Sequence, residues 1–208
     1  MGLVLIKKGA EGHMAGLMDE GIVYMRRLGG FTDMESKVVG DKNEGLLSRY
    51  PAENKTMKVT ATLPNGVVIP LEGVSLNVHS SARTHGVYCM YAVEVPNGDT
   101  SFNFYGTFKH LMEDPLMAEF GECFVFFRDT REFLKRLINA ARSAGYELDH
   151  GPVEYVPIEY TGAMDPFKKL SPYSYQKEWR ALTDKPLPGP DLVLKLGSLK
   201  DICFMMRP

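Results

Sequence analysis

The run Gly86-Val-Tyr-Cys89-Met-Tyr91-Ala-Val-Glu-Val95 is apolar at both alternating sets of positions. Successive residues of a strand point to opposite faces of its sheet. A strand apolar on both faces therefore needs cover on both sides, which places this one centrally and rules out an edge. Phe124-Val-Phe-Phe127 reads as a second such strand. It leads into the clearest helix of the chain, where Asp129 and Glu132 have the spacing of a capping box and Phe133, Leu134, Leu137, Ile138 and Ala141 form an apolar stripe. Gly145 suits the C-terminal cap of that helix.

Around these elements the chain divides into three parts. Residues 1 to about 50 hold a short apolar start, a Gly-rich stretch, a strand candidate from Ile22 to Leu28, and the polar run Val39-Gly-Asp41-Lys-Asn-Glu44-Gly45, which has turn composition. Residues 57 to 95 read as β: Met57 to Leu63 alternates, Asn65-Gly66 is a hairpin turn, and Val67 to Ile69 resumes the strand. Past the helix, Val153 to Tyr160, Tyr175 to Thr183, Leu192 to Leu196 and Ile202 to Met205 read as strands between Gly and Pro turns. With no internal repeat, residues 1–208 are expected to form one mixed, strand-rich α+β domain.

Composition excludes more than it selects. At 44% hydrophobic and 24% charged, 208 residues can bury a core, and 24 basic against 26 acidic residues give no global attraction to nucleic acid or an anionic membrane. Cys89, Cys123 and Cys203 are widely spaced and odd in number, so reduced thiols in a cytoplasmic protein are expected in place of a disulfide framework. No membrane-length apolar run or secretory signal is present, so no membrane partner is expected. The chain lacks GxxxxGK[ST], strand-linked GxGxxG, GxSxG and HExxH. His13, His79, His85, His110 and His150 are scattered without a second ligand at i+3 or i+4, and no metal is expected.

What remains is Tyr173-Ser-Tyr175-Gln176-Lys177-Glu178-Trp179-Arg180 with the loop before it, Met164-Asp-Pro-Phe-Lys168-Lys169-Leu-Ser-Pro. As a strand it would set Gln176, Glu178 and Arg180 on one face, with Tyr175, Lys177, Trp179 and Ala181 on the packed face. An amide, an acid and a guanidinium in a row make either a site or a hydrogen-bonded edge.

Loop, aromatic residue, Gln176, Lys177, Glu178: this order resembles the ADP-ribosyltransferase superfamily, in which a (Gln/Glu)-x-Glu motif opens a strand on one wall of an NAD cleft. The arrangement is also similar to that of small bacterial and phage proteins related to DarT-type toxins, where an aromatic-rich strand ending in Glu-Trp-Arg or Glu-Tyr-Arg follows a Lys-containing loop. The resemblance implies an ADP-ribosyltransferase-like fold with a split central sheet and few helices, and NAD as substrate. Glu178 would steady the positive charge that builds on the ribose as nicotinamide departs, and Gln176 would orient the incoming nucleophile. Tyr24, Arg26, Tyr91 and Tyr175 would contact NAD, with Arg26 preferred to Arg27 for the pyrophosphate, and Lys168 and Tyr173 would meet the acceptor. The acceptor would be nucleic acid in preference to protein, and the setting an intracellular toxin or defence factor with an inhibitory partner protein. The superfamily's polar Ser-Thr-Ser strand has no counterpart, since Tyr88-Cys89-Met90-Tyr91 stands there.

Plainer readings stay open beside these. Glu178 and Arg180 could form an exposed ion pair, Arg26 and Arg27 a solvated face, Lys168 and Lys169 a solvated loop, and Tyr173, Tyr175 and Trp179 packing. The Asp41–Gly45 run could be a turn or line the cleft mouth. For the whole chain, the alternatives are a catalytically silent interaction protein that uses the cleft or the Asn65-Gly66 hairpin, and a metal-independent nuclease built on Glu178, Arg180 and a histidine such as His85.

Overall fold

The structure is a computed structural model, described here for residues 2–32, 34, 40–52, 58–95, 106, 109, 111, 113 and 118–207. Met57, Val39 and His110, which belong to expectations above, lie outside these residues. The architecture is mixed α+β, rich in strands, as expected.

The centre is β7 (His85–Val95), formed by the doubly apolar run, and its two edges are used differently. One edge is covered by β13 (Glu178–Pro186), which pairs antiparallel with residues 85–91 and carries β9 (Leu148–Pro152) on its far side. The other edge is shared. There β1 (Gly2–Gly9) pairs with Tyr91 to Val95 while β2 (Ile22–Arg27) pairs at Gly86 and Val87. After Ile6, β1 leaves β7 and its remaining residues follow β8 (Cys123–Phe127), which in turn carries β15 (Cys203–Met206). β2 carries β14 (Asp191–Lys195). The sheet thus forks at β7 into an arm β1-β8-β15 and an arm β2-β14, with Tyr88, Cys89 and Met90 facing the opening.

Helices cover the sheet where its side chains are most apolar. α1 (Glu11–Glu20) buries Met14 and Leu17 and ends at Gly21, whose φ of +66° is left-handed and where a Cβ would run into the Gly197 carbonyl. This helix and β1 occupy the part of the sequence read only as an apolar start and a Gly-rich stretch. α2 (Thr130–Ser143) is the helix expected from its capping box. Asp129 accepts the Glu132 N–H, Phe133, Leu137 and Ala141 are buried, and Gly145 takes φ +83° past its end. Its Phe133 ring meets Phe127 at 4.2 Å, in one core with Leu5, Val23, Met25, Trp179 and Leu194.

Smaller sheets flank this core. β3 (Leu46–Tyr50), β6 (Leu76–His79) and β11 (Gly162–Ala163) form one, and β10 (Glu154–Val156) pairs parallel with β12 (Lys168–Leu170). The expected strand from Val153 to Tyr160 is therefore only its first part, because Pro157 has no N–H to extend the ladder. β4 (Val59–Thr62) and β5 (Val68–Leu71) make the expected hairpin, with Gly66 at φ +81°. Among the described residues no helix is long and apolar enough to cross a membrane.

Candidate functional site

The segment Lys168 to Arg180 departs from the continuous strand its sequence suggests. After β12, Pro172 starts a 3-10 turn over Ser171–Gln176, and Lys177 then adopts φ 38°, ψ 52°. That left-handed residue is fixed at both ends: its N–H donates to the Ser174 carbonyl and its own carbonyl accepts from Ala92. The strand begins only at Glu178. Gln176 and Glu178 consequently do not share a strand face, and Tyr175 and Lys177 do not join Trp179 on the packed one. From Glu178 onward the alternation holds, with Trp179 and Ala181 in the core and Glu178 and Arg180 together on the opposite face.

Lys169 restores by charge what the backbone break removes. Its Nζ donates to Gln176 Oε1 at 2.7 Å and to Glu178 Oε2 at 2.8 Å. On the other side of the carboxylate, Arg180 Nε donates to Glu178 Oε1 at 2.6 Å. The rest of the guanidinium is taken by Glu44, through Nη1 to Oε1 at 2.8 Å and Nη2 to Oε2 at 2.6 Å, and by the Pro166 carbonyl. Glu44 Oε2 is also 3.6 Å from Lys169 Nζ. Two acids and two bases therefore close a ring that is nearly shielded from solvent, Arg180 being 1% and Glu44 2% exposed. The exposed-pair reading of Glu178 and Arg180 is thereby corrected. Residues 41–45 are the turn their composition suggests, but the turn aims Glu44 into the ring and does not line a mouth.

Burial alone would neutralise these groups, and their mutual field prevents it. For Glu178, burial opposes ionisation, yet Arg180 and Lys169 hold the carboxyl well below the usual carboxylate range. Burial likewise lowers Lys169, and Glu178 and Glu44 outweigh it, leaving the ammonium more basic than usual. Burial pushes the Cys89 thiol well up, with Glu178 adding to the effect. Tyr155 accepts the Glu178 N–H at 2.9 Å, and burial pushes its phenol up to about 12. Chemically, Glu178 is a fixed negative charge at neutral pH and a weak base. Gln176, an amide held by Lys169, is no base.

Two cavities adjoin at the fork. The first, about 80 Å³, lies on the Glu178 face and is lined by Lys7, Lys8, Tyr91, Lys169, Gln176 and Glu178, among others. The second, about 470 Å³, is lined by Lys7, Lys8, His13, Tyr24, Arg26 and Tyr88, among others. Lys7, Lys8 and Phe120 wall both. Lys7 sits in the opening itself, with Nζ donating to the Cys89 carbonyl at 2.6 Å and lying 4.5 Å from the Tyr88 ring centroid.

The expected site residues fall into three groups. Glu178, Gln176 and Tyr91 meet at the first cavity, and Tyr24 and Arg26 at the second. Arg26 is also 3.6 Å from Asp191, whereas Arg27 turns away to donate to the Leu187 carbonyl. Tyr175 stands behind the first cavity, packed against the Ile6 and Tyr91 cluster, with its hydroxyl accepting from Gln176 Nε2 at 3.5 Å. Lys168 and Tyr173 line neither cavity. Lys168 is 3.7 Å from Asp165 and 3.8 Å from Glu154. Tyr173 packs on Leu46, Val156, Met164 and Leu170 and receives the Lys169 ammonium 5.3 Å from its ring centre.

Lys7 and Lys8 escaped the sequence reading. The signal available was a pair of lysines closing an otherwise apolar run, Gly2-Leu-Val-Leu-Ile-Lys7-Lys8. His85 does not approach Glu178. It stands six positions along β7 from Tyr91, the residue opposite Glu178, about 20 Å at strand rise, so His85 does not join Glu178 and Arg180. No family model matches this chain, and neither a curated protein nor a solved structure does.

Proposed function

We propose that this protein binds NAD across the two adjoining cavities and transfers ADP-ribose to a macromolecular acceptor, nucleic acid in preference to protein. In this reading it acts in the cytoplasm as a toxin or defence factor, restrained by an inhibitory partner. One observation carries the proposal: Glu178, Gln176 and Tyr91 converge on a cavity at the sheet fork that shares its lysine walls with the cavity of Tyr24 and Arg26. Glu178 opening a strand at the wall of that cavity supports the likeness to the ADP-ribosyltransferase fold.

The available space fits a ligand held mainly in the second cavity, whose volume of about 470 Å³ lies within the roughly 300–1,000 Å³ of ordinary ligand pockets. The first cavity, at about 80 Å³, admits only the reacting end. NAD supplies a glycosidic bond whose breakage develops positive charge on the ribose. Glu178 remains ionised throughout, so its negative charge is in place before that charge develops and costs no reorganisation. Gln176 is oriented by Lys169 toward the same space and can direct a hydroxyl or amine without removing its proton.

A second reading, an interaction protein without turnover, is supported by two observations. Both oxygens of Glu178 already accept charge-assisted hydrogen bonds, from Arg180 and from Lys169, which leaves less of the carboxylate for a sugar. The β4–β5 hairpin pairs with no other described strand and exposes Val67 at 50% and Val68 at 57%, an apolar surface suited to a protein partner.

The deciding experiment incubates native protein and Glu178→Gln with labelled NAD and cell lysate, then digests the products separately with protease and nuclease. Nuclease-sensitive label and nicotinamide release by the native protein alone are expected. Protease-sensitive label moves the acceptor to protein. A folded native protein that releases no nicotinamide gives the second reading precedence.

A further inference from the structure

The fork holds two polar groups with donors that the protein leaves unpaired, a half-buried ammonium and a buried hydroxyl. Lys7 Nζ has three protons to donate and gives one to the Cys89 carbonyl, and among the described residues it stands in no ion pair. Tyr88 is 4% exposed, and its hydroxyl has no hydrogen-bond partner among the described residues. A buried hydroxyl without a partner is rare because it costs free energy while unsatisfied. Both residues line the second cavity, and the ammonium rests on the Tyr88 ring.

We infer that Lys7 and Tyr88 form a phosphate-binding subsite at the sheet fork, with Lys7 supplying the charge and the Tyr88 hydroxyl a second donor to the same group. The diphosphate of a nucleotide is the fitting occupant, an assignment that rests on the NAD reading above, whereas the phosphate chemistry itself rests on the two unmet donors. Burial also lowers the basicity of Lys7, an effect that Cys89 and Glu178 only partly offset and that a dianion would reverse. The subsite moves the phosphate contact from Arg26, already 3.6 Å from Asp191, to the floor of the opening. Lys7, Lys8 and Phe120 wall this cavity and the Glu178 cavity alike.

The test titrates the full chain with inorganic pyrophosphate and with ADP by calorimetry, in the native protein, Tyr88→Phe, Lys7→Met and, as a charge control, Lys135→Gln on the exposed face of α2. Native binding that weakens with added salt is expected, with each of Tyr88→Phe and Lys7→Met losing about tenfold or more, the size of one charge-assisted hydrogen bond. Lys135→Gln should bind as the native protein does. Tyr88→Phe removes only an unpartnered hydroxyl, so it folds and keeps the test decisive should Lys7→Met fail to do so. Protection of the Lys7 amine from acetic anhydride by ADP, read by mass spectrometry on native protein, is an independent expected result.

Absence of ADP and pyrophosphate binding, or native affinity in Tyr88→Phe together with undiminished Lys7 acetylation, overturns the subsite. Variant-sensitive ADP binding without nicotinamide release from NAD upholds the subsite while the transferase reading fails. Nicotinamide release by Tyr88→Phe and Lys7→Met at the native KM for NAD overturns the subsite and leaves the transferase reading standing.

Discussion

Arg180 and Glu44 are joined by two hydrogen bonds of 2.8 and 2.6 Å across 136 residues of sequence, both side chains buried. The pair clamps the turn at residues 41–45 onto β13 and fixes the guanidinium that holds Glu178. Removing Glu44 leaves the two buried cations with a single buried acid, Glu178, so Glu44→Ala is expected to cost about 3–5 kcal/mol. Urea unfolding monitored by Trp179 fluorescence measures it. A loss below about 1 kcal/mol, the level of an exposed pair, would show the ring to be solvated.

Lys177 separates Gln176 from Glu178 with a left-handed turn that a β-branched side chain cannot adopt without strain. Lys177→Val is expected to destabilise by about 1–2 kcal/mol and Lys177→Gly by much less, since glycine takes φ 38° freely. Equal losses in the two variants, measured by thermal unfolding, would show that the turn is not set by this residue.

The three thiols should stay silent in the folded state. Burial pushes Cys203 up to about 11, and it raises Cys89 and Cys123 as well, so none presents a thiolate at neutral pH. A disulfide reagent at about pH 8 is expected to titrate all three only after denaturant is added. Immediate reaction of Cys123 or Cys203 in native protein would contradict the closed core around β8 and β15.

Period-two patterning made β7, β8 and β14 legible, and capping chemistry did the same for α2, because these elements follow local rules. Their pairing was not legible. Nothing in Gly86 to Val95 says that one edge of the strand serves two partners, and it is this sharing that makes the cavities. The segment Tyr175 to Thr183 misled because its alternation is real only from Glu178, and the break at Lys177 depends on Ala92 and Ser174 gripping its backbone. Gln176 and Glu178 drew notice because an acid and an amide beside aromatics stand out in a strand-like run, whereas Tyr91 came in only through the resemblance. Glu44 looked like turn filler for lack of its partner, which lies in the distant β13. Lys7 went unread because a lysine at the end of an apolar run usually marks solvent.

Glu178 and Lys169 predict opposite limbs of the stability profile. The carboxyl titrates below its ordinary 4.5 in the folded chain, so the stability it contributes is complete above that value and is lost as pH falls toward the folded one. The ammonium titrates above its ordinary 10.5, so its contribution is complete below that pH and is lost as pH rises through the folded value. Between these limits neither group changes charge. Asp41, pushed upward mainly by burial, runs the other way from Glu178 in acid, so the native curve alone does not isolate the carboxylate. The difference between native protein and Glu178→Gln does. Urea midpoints for the two should differ by a constant amount from about pH 6 to 9 and converge below about pH 4.5. A gap that persists unchanged at about pH 3 would mean that the fold does not depend on the ionised form of Glu178. If Glu178 acts as a fixed charge, nicotinamide release by the native protein should show no acid limb from it anywhere in the constant window, and a limb near neutral pH would contradict that role.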